Sequence, residues 1–156
     1  MSDYQVGPSC GCYVMSLIEI PSALDWIPLL RVGPFLFSEP IPAGIQSQLE
    51  ERPDRPGDGI TLKIRGRPDD FIEVYLEEGL VFSVECRVTM TYNNSEIIGV
   101  NEDTLTKILG FKPSESEEME LSDCVQKLLC WDSLSLIATL EQGKVISACC
   151  YDGSTD

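Results

Sequence analysis

The chain has 156 residues, 43% of them hydrophobic, which is enough to bury a core in one compact domain or in two small units that share one. Its 26 acidic side chains outnumber 11 basic ones, and the net charge of -15 disfavours nucleic acid and anionic membranes. The acidity either favours basic protein partners or serves solubility alone. The absence of histidine excludes Ser-His-Asp and Cys-His catalysis and the common histidine metal sites.

The start of the chain and its cysteines predict where the protein resides. Met1 to Tyr4 lack the basic stretch and following apolar segment of a secretory signal, and the apolar runs are shorter than the roughly 20 residues that span a bilayer. We therefore expect a cytoplasmic protein, unless a signal was removed before residue 1. The seven cysteines are an odd number without a Cys-x-x-Cys pair, so we expect reduced thiols, most of them buried. Neither a metal site nor a cofactor is predicted.

The first half of the chain predicts strands around one short helix. A strand-like run extends from Cys12 to Ile20, and Leu29 to Phe37 predicts a second, interrupted strand. Ile45 and Leu49 form the apolar stripe of a short helix, and Arg52 to Asp58 predicts a loop directly after it. The remaining strands of this half are predicted at about residues 60–65, 71–77 and 80–88.

The second half predicts the same sequence of elements. A strand is predicted around Thr89 to Val100, followed by a helix with Asn101 as its N-cap and Gly110 as its left-handed end. The acidic run Pro113 to Glu120 predicts a mobile loop at the same place as the loop of the first half. Its strands are predicted at about residues 124–130, 134–140 and 144–151.

An internal repeat joins these two halves. The segment Leu76 to Ser83 recurs as Leu140 to Ser147, with Gly79 aligned on Gly143 in a tight hairpin turn. The repeat predicts an α+β fold: a tandem duplication of a helix plus a three- to four-stranded antiparallel unit, with one continuous sheet and the helices on one face. The predicted units are residues 1–88 and 89–156, which together form one compact domain.

Period-two alternation assigns side chains to the two faces of the predicted sheet. In the second unit it places Cys150 in the core and the adjacent Cys149 on the opposite face. The predicted core face carries Ile72, Val74, Leu76, Phe82, Val84 and Cys86, then Leu136, Ala138, Leu140, Ile146, Ala148 and Cys150. The opposite face carries Glu73, Tyr75, Ser83 and Glu85, then Ser135, Ile137, Thr139 and Cys149, and is free to meet solvent or a partner.

No pattern in the chain predicts catalysis. It contains no Gly-rich phosphate loop and no Gly-x-Ser-x-Gly, and Asp69-Asp70 and the acidic run do not fit the spacing of a calcium loop. The acidic run is either a solvated loop or a negative patch that binds lysines and arginines. On the second interpretation the candidate partner-binding residues are Glu115, Glu117, Glu118, Glu120, Asp69, Asp70, Glu73 and Tyr75.

The residues from Ile98 to Gly110, followed by an acidic segment and the hairpin Leu140 to Ser147, resemble units of small bacterial immunity proteins. Those proteins neutralise toxins delivered between competing bacteria. Similar helix-plus-sheet units, also in tandem, form the β-lactamase inhibitor protein, which binds its enzyme with the exposed face of its sheet. The resemblance covers about residues 31 to 151 and implies a protein partner and no catalytic residue. The cysteines and the missing export signal fit a cytoplasmic antitoxin better than a secreted inhibitor.

Three hypotheses on function follow. The first is an immunity protein that occludes the active site or substrate cleft of a cognate toxin, which we expect to be a nuclease because a nuclease cleft is basic. The second is a small-ligand-binding protein or enzyme that uses carboxylates. The third is a regulatory adaptor. The sequence predicts no oligomeric state.

Overall fold

The computed structural model describes residues 19–55, 57–68 and 71–153. Thirteen short strands and two helices make up this part of the chain. In chain order they are β1 (Trp26–Ile27), β2 (Arg31–Val32), β3 (Phe35–Leu36), α1 (Ala43–Gln46), β4 (Leu49–Glu51), β5 (Ile60–Ile64), β6 (Ile72–Glu77), β7 (Leu80–Cys86), β8 (Thr91–Tyr92), β9 (Ser95–Glu96), α2 (Glu102–Leu109), β10 (Glu115–Glu120), β11 (Val125–Trp131), β12 (Leu136–Glu141) and β13 (Lys144–Tyr151).

An eight-stranded antiparallel sheet dominates the fold, with the order β10-β11-β12-β13-β7-β6-β5-β4. Its two halves meet where β13 pairs with β7, from Ala148 opposite Cys86 to Tyr151 opposite Ser83. The strands β1, β2 and β3 form a separate small sheet, and β8 pairs with β9. The prediction of an α+β fold built on one large antiparallel sheet is therefore confirmed. No helix in the described part of the chain is long and apolar enough to cross a membrane.

Both predicted hairpins form, because each turn ends in a glycine, which adopts positive φ at little cost. Glu78 and Gly79 have φ of 53° and 81°, and Gln142 and Gly143 have φ of 53° and 79°. Two consecutive positive φ angles fit the twist of the flanking strands in a two-residue hairpin. The pairing then shifts register at the same distance from each turn, between Tyr75 and Leu76 and between Thr139 and Leu140.

These register shifts overturn part of the predicted assignment of faces. Phe82 and Ile146 were predicted in the core, but Phe82 is only half-buried and Ile146 is exposed. Val81 and Val145 take the core positions, at 1% and 2% exposure. The physical reason is a bulge in which one extra residue opposes the partner strand, so that strict alternation fails from that residue onward.

One hydrophobic cluster forms the core beneath the sheet and includes Leu105 and Leu109 of α2. Cys86 and Cys150 are fully buried in it, while Cys149 is half-buried, so the adjacent thiols separate as predicted. Trp131 is also fully buried, and its indole N–H donates to the carbonyl of Phe111 at 2.9 Å. Ser135 was predicted on the opposite face of the sheet but is buried, because it ends a 3-10 turn (Asp132–Leu134) before β12 begins and does not follow the alternation of that strand.

The second helix matches its prediction and the first does not. The Asn101 side chain accepts a hydrogen bond from the Thr104 amide at 2.8 Å, and Gly110 ends α2 in the left-handed conformation. The helix α1 is only four residues long and has no side-chain cap. Leu49, predicted on that helix, instead begins β4 opposite Ile64, because pairing with β5 buries it in the sheet.

The acidic run was predicted to be a loop, and this prediction is wrong. Its residues 115–120 form β10, and all six pair with β11. A strand at the edge of a sheet leaves its side chains in water on both faces, so the glutamates keep their hydration while the backbone pairs. The predicted strand around residues 89–100 is a short hairpin, β8 and β9, and residues 12–18 of the first predicted strand lie outside the described residues.

Candidate functional site

The face of the large sheet that points away from the core is the outer face of the molecule. Cross-strand partners share a face, so the strand registers define which residues lie beside one another there. One row crosses six strands without a break and consists of Glu115, Cys130, Ile137, Cys149, Glu85 and Glu73. A second row consists of Glu117, Leu128, Thr139 and Ser147.

The four glutamates of β10 are divided between the two faces of the sheet. Glu115 and Glu117 are in register with Cys130 and Leu128, on the outer face. Glu118 is in register with Lys127, whose ammonium donates to Glu102 of α2 at 2.9 Å, so Glu118 and Glu120 are on the opposite side. All four are exposed, and no ion pair joins any of them to a basic group among the described residues.

Glu73 is surrounded by arginines rather than by the other predicted acidic residues. Arg52 donates to its carboxylate at 3.0 Å, Arg55 donates to the same oxygen, and Arg87 lies 3.8 Å from it. Arg87 also pairs with Glu85 at 3.1 Å. These residues form an ion cluster that covers the outer face over β6 and β7. No pattern in the sequence indicates this ion cluster, because Arg52 and Arg55 reach Glu73 from a loop distant in the chain.

The structure does not bring the predicted partner-binding residues into one patch. Five strand spacings separate Glu115 from Glu73 along the row, which is roughly 24 Å. The hydroxyl of Tyr75 accepts the Gly59 amide at 3.1 Å, and its ring packs edge-on against Phe82 with centroids 5.9 Å apart. Asp69 and Asp70 lie outside the described residues.

The two halves of the outer face are covered to different extents by their own loops. The connection between β4 and β5 spans residues 52–59 and carries Arg52 and Arg55 of the ion cluster. The connection between β10 and β11 spans only residues 121–124, and the Leu121 amide donates to the Cys124 carbonyl at 2.8 Å. In the described part of the chain, this turn carries no arginine, and its Cys124 thiol contacts the Glu141 carboxylate at 3.6 Å, at the end of β12.

A patch of mainly apolar side chains lies on this less covered half, and we call it the β11–β13 patch. Its members are half-buried and belong to the rows given above: Leu128, Cys130, Ile137, Thr139 and Cys149. The sequence places Ile137, Thr139 and Cys149 on this face by alternation. Leu128 and Cys130 were missed, although their alternation with the buried Leu129 and Trp131 is a usable signal.

The thiols of this region are not activated for chemistry. Burial raises the pKa of Cys149 to about 12. Burial raises the pKa of Cys130, and the nearby Glu115 carboxylate raises it further. A thiol is a nucleophile and a metal ligand only as the thiolate, so both groups are inert at neutral pH. Among the described residues, no group of three or more Cys, Asp or Glu side chains is arranged to hold a metal ion.

A cavity of about 440 Å³ lies beside the first residues of β7, next to the hairpin turn that precedes this strand. Asp58, Glu77, Phe82 and Asp152 line it, and none of the described residues that line it is a lysine or an arginine. The buried carboxylate of Asp152 accepts a hydrogen bond from the Ser38 hydroxyl. The size falls within the range of ligand pockets, about 300 to 1,000 Å³, and the acidic lining disfavours anionic ligands.

Three features therefore characterise the candidate site: the exposed carboxylates of β10, the β11–β13 patch beside them and the ion cluster on the other half of the outer face. Their arrangement suits noncovalent recognition of a protein surface, because it combines apolar area with charged groups at its border. The chain matches no protein-family model, and no curated protein or solved structure matches it.

Proposed function

We propose that this chain is an immunity protein that binds a cognate bacterial toxin and occludes its active site or substrate cleft. The observation that carries the proposal is β10, a six-residue edge strand with four exposed glutamates, of which Glu115 and Glu117 on the outer face form no ion pair with another described residue. A paired strand holds these carboxylates in fixed positions, so less side-chain and backbone freedom is lost on binding than from a loop.

Electrostatics supports a basic partner. The net charge of -15 attracts cationic surfaces over several ångströms and accelerates their encounter, most strongly at low ionic strength. A nuclease cleft is basic because it binds a phosphate backbone, and it complements β10 in charge. We therefore propose a basic nuclease as the toxin, with no catalytic residue, cofactor or metal required in this chain.

The tandem duplication is part of the same proposal, with residues 1–88 and 89–156 as the two units. Equivalent backbone hydrogen bonds support it. The Val81 N–H donates to the Glu39 carbonyl, and the Val81 carbonyl accepts from the Ser38 N–H. In the same way, the Val145 N–H donates to the Val100 carbonyl, and the Val145 carbonyl accepts from the Gly99 N–H. Ser38 and Gly99 both have positive φ, 64° and 92°. The matching hairpin turns and register shifts are further support.

We also propose that both helices pack on the core side of the sheet and leave the outer face open. The ion pair between Lys127 of β11 and Glu102 of α2 supports this for the second helix, and the burial of Ile45 supports it for the first. The proposed location is the cytoplasm, where thiols remain reduced. The free state of Cys86, Cys124, Cys130, Cys149 and Cys150 is consistent with that location.

A second candidate function is small-ligand binding, and the cavity beside Asp152 favours it. Its acidic lining suits a cationic or polyhydroxylated metabolite. Thermal unfolding of the purified chain with a panel of such metabolites distinguishes the two functions. A rise in Tm with one metabolite, together with no protein partner, would overturn the immunity proposal.

Growth rescue is the test of the leading proposal. The chain is coexpressed with the toxin domains encoded in the same genome, and we expect it to restore growth against one of them. The double variant Glu115→Lys with Glu117→Lys is expected to lose rescue. The control, Glu77→Lys with Glu78→Lys, makes the same change in charge at an exposed hairpin and is expected to keep it. Failure of the unaltered chain against every toxin domain would contradict the proposal.

A further inference from the structure

We infer that the β11–β13 patch is the docking surface, and that its occupant is a protein segment in which apolar side chains alternate with lysines or arginines. This inference rests on the proposed function and adds to it which half of the outer face binds and what chemistry the partner presents. It is argued from three properties: coverage, composition and charge.

Charged side chains cover the first half of the outer face, so we place the docking surface on the second half. Over the first half, the ion cluster already satisfies Glu73 with three arginines, and its side chain is only 11% exposed. A partner that docked there would have to displace the charge-assisted hydrogen bonds of Arg52 and Arg55 to Glu73. Over the second half, the connection between β10 and β11 is a tight turn that carries no arginine, and its Cys124 contacts Glu141 at the end of β12, outside the patch.

Composition indicates apolar contacts at the centre of the patch. Cys130, Ile137 and Cys149 follow one another across three strands, and Leu128 lies in the neighbouring row beside Thr139. The half-buried Tyr151 continues β13 beyond Cys149, opposite Ser83. Burying apolar side chains against a partner stabilises the complex in proportion to the area removed from water. Interface energy is concentrated in such central apolar contacts, with a polar border that excludes water.

Charge determines which side chains must flank the apolar contacts. Glu115 and Glu117 border the patch, and neither has an ion pair among the described residues. Lysines or arginines on either side of an apolar side chain therefore match the patch and its border at once. A second copy of the chain fits badly, because it would bring the same two carboxylates against the first pair at a net charge of -15 per chain.

Two synthetic peptides of equal length and charge test the inference on the full chain. One alternates lysine with leucine and the other alternates lysine with serine. Fluorescence anisotropy at low salt is expected to show that the lysine–leucine peptide binds at least tenfold more tightly, which corresponds to about 1.4 kcal/mol. NMR shift changes are expected to concentrate on β10 to β13.

Variants then locate the binding. Ile137→Ser and, independently, Leu128→Ser are expected to abolish the tenfold preference without changing the charge. The control Leu80→Ser removes an exposed apolar side chain outside the patch and is expected to preserve the preference. Thermal unfolding of each variant identifies any that fails to fold, and the NMR map of the unaltered chain locates the peptide without a variant.

The outcomes separate the inference from the proposal on which it rests. Equal binding of both peptides would overturn the inference and leave an acidic binding surface intact. A preference that survives both patch variants, or shift changes on β4 to β7, would place docking elsewhere. If neither peptide binds, the proposed attraction of a basic partner fails. Self-association in sedimentation velocity that Ile137→Ser abolishes would replace the partner with a second copy of the chain.

Discussion

Arg52 donates a hydrogen bond to Glu73 at 3.0 Å across the outer face of the sheet, and both side chains are almost buried, at 12% and 11% exposure. The pair connects the loop after β4 to the start of β6. Arg55 and Arg87 approach the same carboxylate, so Glu73 holds three cations in place.

Replacing Glu73 is therefore expected to destabilise the fold. Glu73→Ala leaves three arginines beside one another without their common acceptor, and we expect a loss of about 2 kcal/mol in the free energy of unfolding. Urea titration followed by circular dichroism measures it. The control Glu77→Ala changes an exposed glutamate of the same strand and is expected to change stability by less than about 0.5 kcal/mol. Equal losses for the two variants would show that the ion cluster contributes nothing.

The two hairpin turns are expected to respond alike to substitution. Gly79 and Gly143 have φ of 81° and 79°, where a Cβ is unfavourable, although no atom lies within 4 Å of either added Cβ. Gly79→Ala and Gly143→Ala are each expected to cost about 1 kcal/mol from backbone conformation alone. Chemical denaturation of each single variant measures whether the two losses in the free energy of unfolding are equal. A cost confined to one turn would argue against equivalent roles in two repeated units.

Stability is expected to fall in alkaline solution through the buried thiols. Burial raises the pKa of Cys149 from its ordinary value of 9.0 to about 12. The unfolded chain therefore loses this proton near pH 9, whereas the folded chain keeps it until about pH 12. The contribution of the protonated Cys149 thiol to the free energy of unfolding is complete below pH 9 and is lost as the pH rises toward 12.

Urea midpoints at pH 8 and pH 10 measure this effect. Cys149→Ala removes the titrating group, so the midpoint of the variant is expected to fall less between the two pH values than that of the unaltered chain. Burial also raises the pKa values of Cys86 and Cys150, so part of the fall in the urea midpoint is expected in both proteins. An identical fall with and without Cys149 would show that its thiol is solvated in the folded state.

Local signals in the sequence were sufficient to predict several elements. Asn101 and Gly110 delimit α2 through side-chain and backbone geometry that depends on neighbouring residues alone. The same holds for the hairpin turns at Gly79 and Gly143. Alternation within β11, β12 and β13 then places Cys150 and Cys149 on opposite faces, as the structure has them.

Nonlocal pairing explains what was not predicted. The glutamates of β10 have low strand propensity, and they form a strand because β11 supplies the hydrogen-bonding partner. Phe82 and Ile146 leave the core because a bulge adds a residue, which alternation cannot anticipate. The contact of Arg52 with Glu73 depends on the path of a loop, so no spacing in the sequence indicates it.

The central claim is that a basic partner docks on one face of β10, and two charge-matched variants test it most directly. Glu115→Lys with Glu117→Lys alters the outer face, and Glu118→Lys with Glu120→Lys makes the same charge change on the other face of the same strand. Stopped-flow association with the lysine–leucine peptide at low salt is the measurement. We predict that the first pair slows association at least threefold more than the second. Equal slowing by both pairs would show that overall acidity, and not the outer face, attracts the partner.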